Sequence, residues 1–453
     1  MFQSINPYTK ESLFTREFDS DTAIVQQLNN ATEAYILWKD TTFSTRASTI
    51  YAIAKDLIEN KEEYARTISL EMGKHLRESL TEIEKCASAC DYFASNSQRL
   101  LMDYEDYLSK DLYRISISPS GAVFGIMPWN FPFWQVFRYV IPNLMLGNIC
   151  LLKHAPNVGL SALLIEKILN KHLPECVFQH IWADISQIEL IVSHPIVSGT
   201  TLTGSEKAGA SLASISGKHL KKTVLELGGS DPFIVEKTCN LAHTVDKAIQ
   251  GRLQNNGQTC IAAKRFIIDQ EILEDFKRTL LDELSKISVG DPFDPSNSYG
   301  TLAREDLTQN LLNQIEKALK QGASPLNTWK CHNNSLNPIV LEVDNSRNIA
   351  FKEELFGPVF VLKSFKSVNE AINLANDTHY GLAASIWSHD NGFIDNVLRN
   401  TVAGSIFVNE LPKSDVTVPF GGTKRSGYGK ELSVLGLTEF SNIKTTINHR
   451  LFI

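Results

Sequence analysis

Apolar side chains recur at helical spacing over the first hundred residues of the chain. Residues 44–74 open with side chains that suit a helix cap, Ser44 or Thr45, and then carry one apolar stripe. A second stretch of the same type, residues 76–100, follows a turn at Gly73. The sequence therefore predicts that this part of the chain is helical. The apolar stripe of the first stretch comprises Ile50, Ile53, Ala54, Leu57 and Ile58.

From about residue 115 the pattern changes to short apolar runs that alternate with helical stretches. Such alternation predicts a parallel sheet with helices on its faces. A second series of the same kind starts near Gly251. The strand candidates are GAVFGIMP, NICLLKH, IVSGTTLTG, KTVLELGG and PFIV in the first series, and FIIDQ, VFVLKSF and ASIWSH in the second. The helix candidates are NVGLSALLIEKILNKHL and SEKAGASLASISGKHL.

Two segments have the pattern of strands outside these two series. Residues 104–121 are typical of a projecting hairpin or arm, and residues 442–452 alternate like a lone exposed strand. Because unpaired strand edges readily pair with other chains, both segments are expected to contribute to an oligomer interface.

The composition restricts the class of protein. A chain of 453 residues suits two or three domains, and its 43% hydrophobic and 21% charged residues are typical of a globular protein. A net charge of −7 argues against a nucleic-acid surface and favours small-molecule partners. The sequence shows no signal-peptide pattern and no run of about 18 apolar residues that would predict a membrane span. We therefore expect a soluble, cytoplasmic protein with no membrane partner.

The seven cysteines are irregularly spaced and include no CxxC pair. Neither a disulfide framework nor a zinc site is expected from this pattern. Cys86 and Cys90 lie four apart on one helix face, and we predict that they are core residues. Cys260 differs, because in LQNNGQTCIAAKR it follows small polar residues and precedes an alanine-rich run that indicates a helix.

The segment MPWNFPFWQVFR places Asn130 between Pro128 and Pro132, directly after a predicted strand. In open α/β sheets, ligands bind at the carboxyl ends of strands. A rigid loop at that edge lets the Asn130 amide donate a hydrogen bond to an oxyanion. A purely structural turn is the alternative interpretation.

Two other strand ends carry weaker signals. In TLTGSEKAG, Gly204 and Gly209 bracket a strand-to-helix turn of the kind that binds phosphate through free N–H groups. In LLKHAP, Lys153 ends a predicted strand, where it either bonds a ribose hydroxyl or is solvated. Neither feature identifies a nucleotide site by itself.

Glu226 and Cys260 complete a set of groups suited to acyl chemistry. Glu226 precedes Leu-Gly-Gly at a strand end, where a carboxylate gains little structurally. Gly257 allows a tight turn before Cys260, and a helix that begins at the thiol would favour its thiolate. A thiolate nucleophile, a carboxylate base and an amide donor together indicate acyl transfer.

Six segments, in order along the chain, resemble signatures of the aldehyde dehydrogenase superfamily. The resemblance extends over essentially the whole sequence, and it is closest to the bacterial NAD(P)-dependent succinate-semialdehyde dehydrogenases. It implies an α/β fold of two doubly wound parallel-sheet domains with a projecting oligomerisation arm. The six segments are PWNFP, LELGG, GQTC, EELFGPV, NDTHYGLAASIW and PFGGTKRSGYGKE.

The resemblance also implies a division of the chain into domains. Residues 1–100 and 120–228 are expected to form a cofactor-binding domain, and residues 229–425 a catalytic domain with the nucleophilic cysteine. Residues 101–119 and 438–453 are assigned to the oligomerisation arm and tail strand of a homodimer or homotetramer.

By the same resemblance, Cys260 is the nucleophile that forms a thiohemiacetal and then, after hydride transfer, a thioester. Asn130 and the Cys260 backbone N–H would hold the oxyanion, and Glu226 would activate water to release the acid. A glutamate base needs a pKa above its ordinary value, which partial burial provides.

The expected reaction is the oxidation of succinic semialdehyde to succinate. Broad-range oxidation of aliphatic or aromatic aldehydes is the main alternative. A CoA-acylating enzyme is disfavoured, because such members typically lack the glutamate that stands here as Glu226. A fold that has lost catalysis is disfavoured by the same intact set of residues.

The resemblance implies NAD as the cofactor, with NADP also accepted, in the crevice of the first domain. Lys153 is expected at the adenosine ribose, Gly204 and Ser205 at the pyrophosphate, and Glu354 at the nicotinamide ribose with Phe356 nearby. The remaining expected cofactor contacts are Pro128, Trp129 and Leu227.

Several positions depart from the family pattern. Pro156 replaces a glutamate of many NAD-preferring members, which removes repulsion against the 2′-phosphate of NADP. Tyr139 replaces a lysine, so no proton relay is transferred to it. Arg138 matches a carboxylate-binding arginine and is expected to bind the substrate, with an interior ion pair as the alternative. A second such arginine is replaced by Gln254, and Arg252 is nearby but out of register.

Overall fold

The computed structural model describes residues 1–102, 104–108 and 111–449. Two parallel sheets with flanking helices and a smaller antiparallel sheet make up the fold, which confirms the predicted α/β class. The chain begins with an antiparallel strand pair that the helical pattern of this region did not predict. Its strands are β1 (Phe2–Ile5) and β2 (Ser12–Arg16).

Helices occupy most of the first hundred residues, as predicted. Thr42 caps the second helix by accepting a hydrogen bond from the backbone N–H of Thr45. Gly73 ends the third helix in the left-handed region, with φ at 68°. Cys86 and Cys90 are buried in the fourth, which confirms their prediction as core residues. The helices are α1 (Asp21–Trp38), α2 (Phe43–Glu59), α3 (Lys61–Met72) and α4 (Leu76–Leu100).

The predicted hairpin follows these helices and leads into the first parallel sheet. The hairpin strands are β3 (Tyr104–Leu108) and β4 (Asp111–Pro119). The parallel strands are β5 (Ala122–Met127), β6 (Ile149–His154), β7 (Phe178–His180), β8 (Val197–Thr203) and β9 (Lys222–Glu226), in the order β9-β8-β5-β6-β7. The intervening helices are α5 (Trp134–Leu146), α6 (Gly159–His172), α7 (Ile188–Ser193) and α8 (Glu206–Lys218), with a 3-10 turn at Ile185–Gln187.

The second sheet has seven strands, all parallel except one short edge strand. Its strands are β10 (Asp231–Val235), β11 (Ala263–Asp269), β12 (Ser324–Pro325), β15 (Ile339–Glu342), β16 (Val359–Phe365), β17 (Ala383–Trp387) and β18 (Ser405–Val408), in the order β12-β15-β16-β11-β10-β17-β18. A separate hairpin consists of β13 (Cys331–His332) and β14 (Ser335–Leu336). The helices are α9 (Leu241–Leu253), α10 (Leu273–Leu284), α11 (Glu305–Lys320), α12 (Ile349–Lys352), α13 (Val368–Asn376) and α14 (Asn391–Asn400).

After the second sheet the chain returns to the first sheet and then to the hairpin. The last elements are a 3-10 turn at Lys424–Ser426, β19 (Gly427–Tyr428), α15 (Ser433–Thr438) and β20 (Ser441–His449). Strand β19 pairs antiparallel with β9, which places Gly427 opposite Glu226. Strand β20 pairs along its length with β4 of the same chain, so the tail forms a strand as predicted but not a lone one. The predicted tail residues 450–453 lie outside the described residues.

Both sheets are covered on two faces, so their central strands are apolar along their length. Every residue of β6 and β10 is buried. Phe233 of β10 stacks on Trp387 of β17 with ring centroids 5.1 Å apart, and it lies 5.2 Å from Phe266 of β11. This aromatic row connects three adjacent strands of the second sheet, β11, β10 and β17. No helix in the described part of the chain is long and apolar enough to span a bilayer.

Candidate active site

A cavity of about 780 Å³ opens between α4, α5 and the loop that carries Cys260. Cys260 and Arg138 both line it, together with the aromatic rings of Phe131, Trp134 and Phe420. The cavity thus combines an apolar wall with the predicted nucleophile, as expected of a site for a small organic substrate.

The loop before Cys260 is held in an unusual backbone conformation. Asn255, Asn256 and Gly257 have φ values of 54°, 58° and 74°, so three consecutive residues are left-handed. A Cβ at Gly257 would lie 2.5 Å from the backbone of Gly357, so only glycine fits there, as the sequence predicted. A constrained backbone of this kind is typical of functional sites.

Buried hydrogen bonds hold this loop in place. The Asn256 amide donates to the carbonyls of Gly73 at 3.2 Å and Thr301 at 2.6 Å, and its oxygen accepts from the N–H of Gly300 at 3.1 Å. The N–H of Asn255 donates to Glu78 at 2.9 Å. The loop is therefore fixed to α3, α4 and the second domain at once.

The structure corrects one prediction about Cys260. The thiol lies in a turn that leads into strand β11, and no helix begins there. A helix N-terminus therefore does not favour the thiolate. Burial raises the pKa of Cys260 to about 12, while the charges of Lys264 and Arg138 lower it. The resting thiol is neutral, and it must lose its proton as it attacks.

Asn130 connects the predicted proline loop to the nucleophile loop. Its side-chain nitrogen donates to the carbonyl of Gln258 at 3.1 Å, and its own carbonyl accepts from the Asn255 amide at 2.7 Å. A primary amide has two N–H groups, so one donor of Asn130 stays available for a ligand. The backbone N–H of Cys260 also makes no hydrogen bond within the described part of the chain.

Glu226 ends strand β9 as a buried acid without partners. Its side chain is 2% exposed, and neither carboxylate oxygen has a hydrogen-bond partner among the described residues. Burial, with a smaller contribution from Glu431, raises its pKa to about 8. The shift has the predicted direction. A Cβ at Gly421 would come within 2.7 Å of the Glu226 carboxylate, so this glycine leaves the acid its space.

Arg138 lines the cavity, but its charge is already matched. The guanidinium pairs with the buried carboxylate of Glu431, and it donates to Thr203 Oγ1 at 3.1 Å. Its carbon Cζ lies 4.8 Å from the ring centroid of Phe420. The structure thus shows the interior ion pair that the sequence left open as the alternative to substrate binding.

The structure also places three other positions that depart from the family pattern, Arg252, Gln254 and Tyr139. Arg252 is fully buried and donates to backbone carbonyls around the nucleophile loop, including that of Leu355 at 2.7 Å, so it supports the loop. Gln254 is exposed at the cavity. The Tyr139 hydroxyl donates to the carbonyl of Leu151 at 3.1 Å inside the core, away from any relay.

The predicted adenosine side of the cofactor site lies at the carboxyl ends of β6 and β8. Lys153 is 6% exposed and has no acid or hydrogen-bond partner among the described residues, and burial lowers its pKa to about 8. Gly204 follows β8, and Ser205 caps the helix α8 by accepting from the N–H of Ala208 at 3.3 Å. A buried cation beside a helix N-terminus fits a nucleotide.

The predicted nicotinamide side lies where the two sheets meet. Pro128 and Trp129 directly follow β5, and the Trp129 ring meets that of Phe356 edge-on with centroids 5.9 Å apart. Leu227 follows β9 and packs closely on Gly209. A Cβ added at Gly209 would lie 2.7 Å from the side chain of Leu227. Two expected cofactor residues, Trp129 and Phe356, are thus in contact, and a third, Leu227, contacts Gly209 of the strand-to-helix turn.

Lys264 joins Glu354 to the nucleophile loop, a contact that sequence reasoning missed. Its ammonium lies 3.2 Å from Glu354 Oε1 and donates to the carbonyl of Cys260 at 2.6 Å. The same Glu354 oxygen accepts from the N–H of Gly229 at 3.3 Å. The available signal was Lys264 beside Arg265, two cations directly before the apolar residues of β11.

Comparison with known proteins identifies relatives over the full chain. The model of the aldehyde dehydrogenase family matches residues 1–446. A succinate-semialdehyde dehydrogenase (NADP+) of Mycobacterium avium is 39% identical over 98% of this chain and 95% of its own. A probable enzyme of the same name from Synechocystis is 38% identical over 98% of both chains.

A solved structure supports the same assignment of the fold. Succinic semialdehyde dehydrogenase from Streptococcus pyogenes, in complex with NADP+, superposes with a TM-score of 0.96 at 32% identity. The match covers 98% of this chain and 99% of that chain.

Proposed function

The chain belongs to the aldehyde dehydrogenase family, and from that premise we propose that it oxidises succinic semialdehyde to succinate with a nicotinamide dinucleotide as hydride acceptor. One observation carries the assignment of residues. The loop that carries Cys260 is hydrogen-bonded to Asn130. The charge of Arg138 acts on the pKa of both Cys260 and the unpartnered acid Glu226. Nucleophile, amide donor and base thus belong to one site.

We propose that the Cys260 sulfur attacks the aldehyde carbon. The charges of Lys264 and Arg138 favour the thiolate as the proton leaves. The free N–H of the Asn130 amide and the backbone N–H of Cys260 are the donors for the oxyanion, each worth about 3 kcal/mol in such sites. A nicotinamide bound beside Cys260 would supply the acceptor for the hydride, and loss of the hydride would leave a thioester on Cys260.

Glu226 has the proposed role of general base in the second half of the reaction. Its pKa, raised by burial to about 8, gives the ionised carboxylate a high affinity for a proton from water, so that the resulting hydroxide attacks the thioester carbon and releases the acid. Its presence supports hydrolysis and not acyl transfer to CoA.

For the cofactor, we propose NADP+ as the preferred form, which reverses the expectation of NAD. Lys153 is a buried cation without an acid partner, and three residues later Pro156 brings no carboxylate that would repel a 2′-phosphate. The relatives named above are NADP+ enzymes. Initial rates with each cofactor at saturating aldehyde test this proposal, and a preference for NAD+ would overturn it.

The domain division and the oligomer remain proposals. Residues 1–100 and 120–228 carry the first sheet and residues 229–425 the second, and β19 returns to the first. We propose that the β4–β20 sheet mediates dimer or tetramer formation, because Ile443 and Ile447 of β20 are 61% and 57% exposed. A monomeric mass by light scattering would contradict this.

The substrate is tested by a ratio of kcat/KM for succinic semialdehyde and butanal, measured with excess NADP+. The two aldehydes differ mainly in the terminal carboxylate, so the ratio measures its binding in the transition state. A ratio of about 100 or more, equivalent to about 3 kcal/mol, supports the proposal. A ratio near one indicates broad-range aldehyde oxidation, the alternative that the neutralised Arg138 favours.

A further inference from the structure

If the cavity binds a terminal carboxylate, the positive charge for it must come from a residue other than Arg138, since Glu431 already neutralises that guanidinium. We propose that Lys85 on α4 binds the terminal carboxylate of the aldehyde substrate. This inference rests on the proposed function and names the residue that gives it its specificity.

Helix α4 turns one face toward the cavity. The lining residues Arg77, Thr81 and Lys85 are spaced four apart, so they lie along a single stripe of the helix. Lys85 is the last residue of this stripe, and it contacts Trp134 and Ser414. Burial and the charge of Arg138 both lower the pKa of Lys85, and the two residues line the same cavity. Lys85 therefore lies at the end of the cavity that contains Arg138. The charge of Arg138 also acts on Cys260, where it opposes the rise in pKa that burial causes.

The ammonium of Lys85 is held in place by two neighbours. It donates to Ser414 Oγ at 2.7 Å, and it lies 4.2 Å from the ring centroid of Trp134. The indole N–H of Trp134 donates to the same Ser414 oxygen at 3.1 Å. A long side chain fixed in this way loses little further entropy when it binds an anion.

Lys85 has no counterion among the described residues. No carboxylate lies within ion-pair distance of it, and burial lowers its pKa to about 8. Two acids, Glu82 and Asp415, are near enough for their charges to act on Lys85, and both accept hydrogen bonds from other groups. Asp415 accepts from the backbone N–H and the hydroxyl of Thr417 at 2.9 and 2.7 Å. Glu82 pairs with Lys74 and accepts the N–H groups of Phe133 and Trp134 at 2.9 Å.

The contrast with Lys74 on the same segment of chain is informative. Lys74 is fully buried and has Glu82 as its ion-pair partner, whereas the half-buried Lys85 directly contacts the neutral groups of Ser414 and Trp134. Leaving an ammonium partly desolvated without an acid costs stability. A substrate carboxylate would supply the missing charge, and aliphatic aldehydes without a carboxylate would not.

Besides Lys85 and Arg138, two more cationic side chains line the cavity, and they serve as matched controls. Lys413 is exposed and lies 3.5 Å from Glu410, and Arg77 is exposed at the far end of the α4 stripe. Because solvent screens both charges, neither is expected to contribute much to carboxylate binding.

The test compares the succinic semialdehyde to butanal ratio of kcat/KM in four enzymes: wild type, Lys85→Met, Lys413→Met and Arg77→Met. We expect a high ratio in the wild type, a fall of about 30- to 100-fold in Lys85→Met, and changes within about threefold in the two controls. Lys85→Gln, with its thermal midpoint measured beside the wild type, repeats the test if Lys85→Met folds poorly.

The outcomes separate this inference from the proposed function. A wild-type ratio near one would contradict succinic semialdehyde as the substrate, and the inference with it. A high wild-type ratio that Lys85→Met leaves unchanged would overturn the inference alone. An equal fall in Lys413→Met or Arg77→Met would show that the general charge of the cavity acts, and not Lys85.

Discussion

The loop that carries Cys260 and the strand end that carries Glu226 are built in opposite ways. The buried amides of Asn255 and Asn256 in the loop each donate two hydrogen bonds, and the backbone there takes left-handed conformations. At the strand end, both oxygens of the buried Glu226 carboxylate lack a donor among the described residues.

The difference follows from the two tasks. A nucleophile gains from being fixed, because hydrogen bonds that hold the loop keep the sulfur in a geometry suited to attack. A general base gains from a pKa near the working pH, which donors to its carboxylate would lower. The nucleophile loop therefore contributes geometry and Glu226 contributes proton affinity. Four predictions test this comparison.

The largest effect is expected at the nucleophile. Cys260→Ser should lower kcat by at least about 10⁴-fold, because a hydroxyl is a far weaker acid and nucleophile than a thiol and the covalent path is lost. Cys331→Ser replaces an exposed cysteine outside the site and should leave kcat near that of the wild type. Steady-state formation of NADPH measures both. Nearly normal activity in the Cys260→Ser enzyme would contradict a covalent mechanism through Cys260.

Glu226→Gln should lower kcat by about 10²- to 10⁴-fold, because the amide keeps the shape of the side chain but cannot accept a proton from water. The matched control is Glu236→Gln, a change at another buried glutamate, which bonds Thr238 and Ser388 at a distance from the cavity. Its turnover should stay within a few-fold of the wild type. If both variants lose activity equally, the loss reflects folding.

The nucleophile loop should show its effect in stability. Asn256→Ala removes three buried hydrogen bonds and puts alanine in a left-handed conformation, which should lower the free energy of unfolding by about 2–4 kcal/mol. Asn256→Gly loses the same hydrogen bonds, but glycine adopts the left-handed conformation without strain. It should therefore be less destabilising than Asn256→Ala by about 1 kcal/mol. Chemical denaturation measures the difference. Equal losses would mean that the backbone conformation is unstrained.

The smallest effect is a pH-dependent gain in stability in Glu226→Gln. The carboxyl has an ordinary pKa of 4.5 and a folded-state pKa of about 8, so between these values the folded protein retains a proton that the unfolded chain has lost. The wild type therefore loses stability as pH rises from 5 to 8, whereas the Gln variant does not. Its thermal midpoint should exceed that of the wild type by about 2–4 °C at pH 8 and match it near pH 5. A constant difference across this range would mean that Glu226 is ionised in the fold.

Local pattern was enough to predict most of the fold and several site residues. The strands of both sheets follow the apolar runs, and Glu226 and Lys153 lie at strand ends as the pattern indicated. The turn at Gly257 was also predictable, because glycine is the residue that left-handed backbone favours.

The segment after Cys260 was mispredicted for a physical reason. Ile261 to Lys264 contain two alanines and read locally as helical, yet β11 lies in the middle of the second sheet between β10 and β16. Pairing on both sides there outweighs the helical preference of the alanines.

The electrostatic partners within the site could not be predicted from local pattern. Glu431 reaches Arg138 from the end of the chain, and Lys264 reaches Glu354 across the second domain. Sequence spacing carries no information on such contacts, because the fold brings together residues that are far apart along the chain.

The most direct test of the account is a rapid-mixing experiment on Glu226→Gln with succinic semialdehyde and NADP+. If Cys260 is the fixed nucleophile and Glu226 acts only on water, NADPH should appear in a burst of one equivalent per site. Turnover should then almost stop, and mass spectrometry should find a succinyl thioester on Cys260. A slow reaction with no burst and no acyl adduct would contradict the account, because Glu226 would then be needed before the thioester forms.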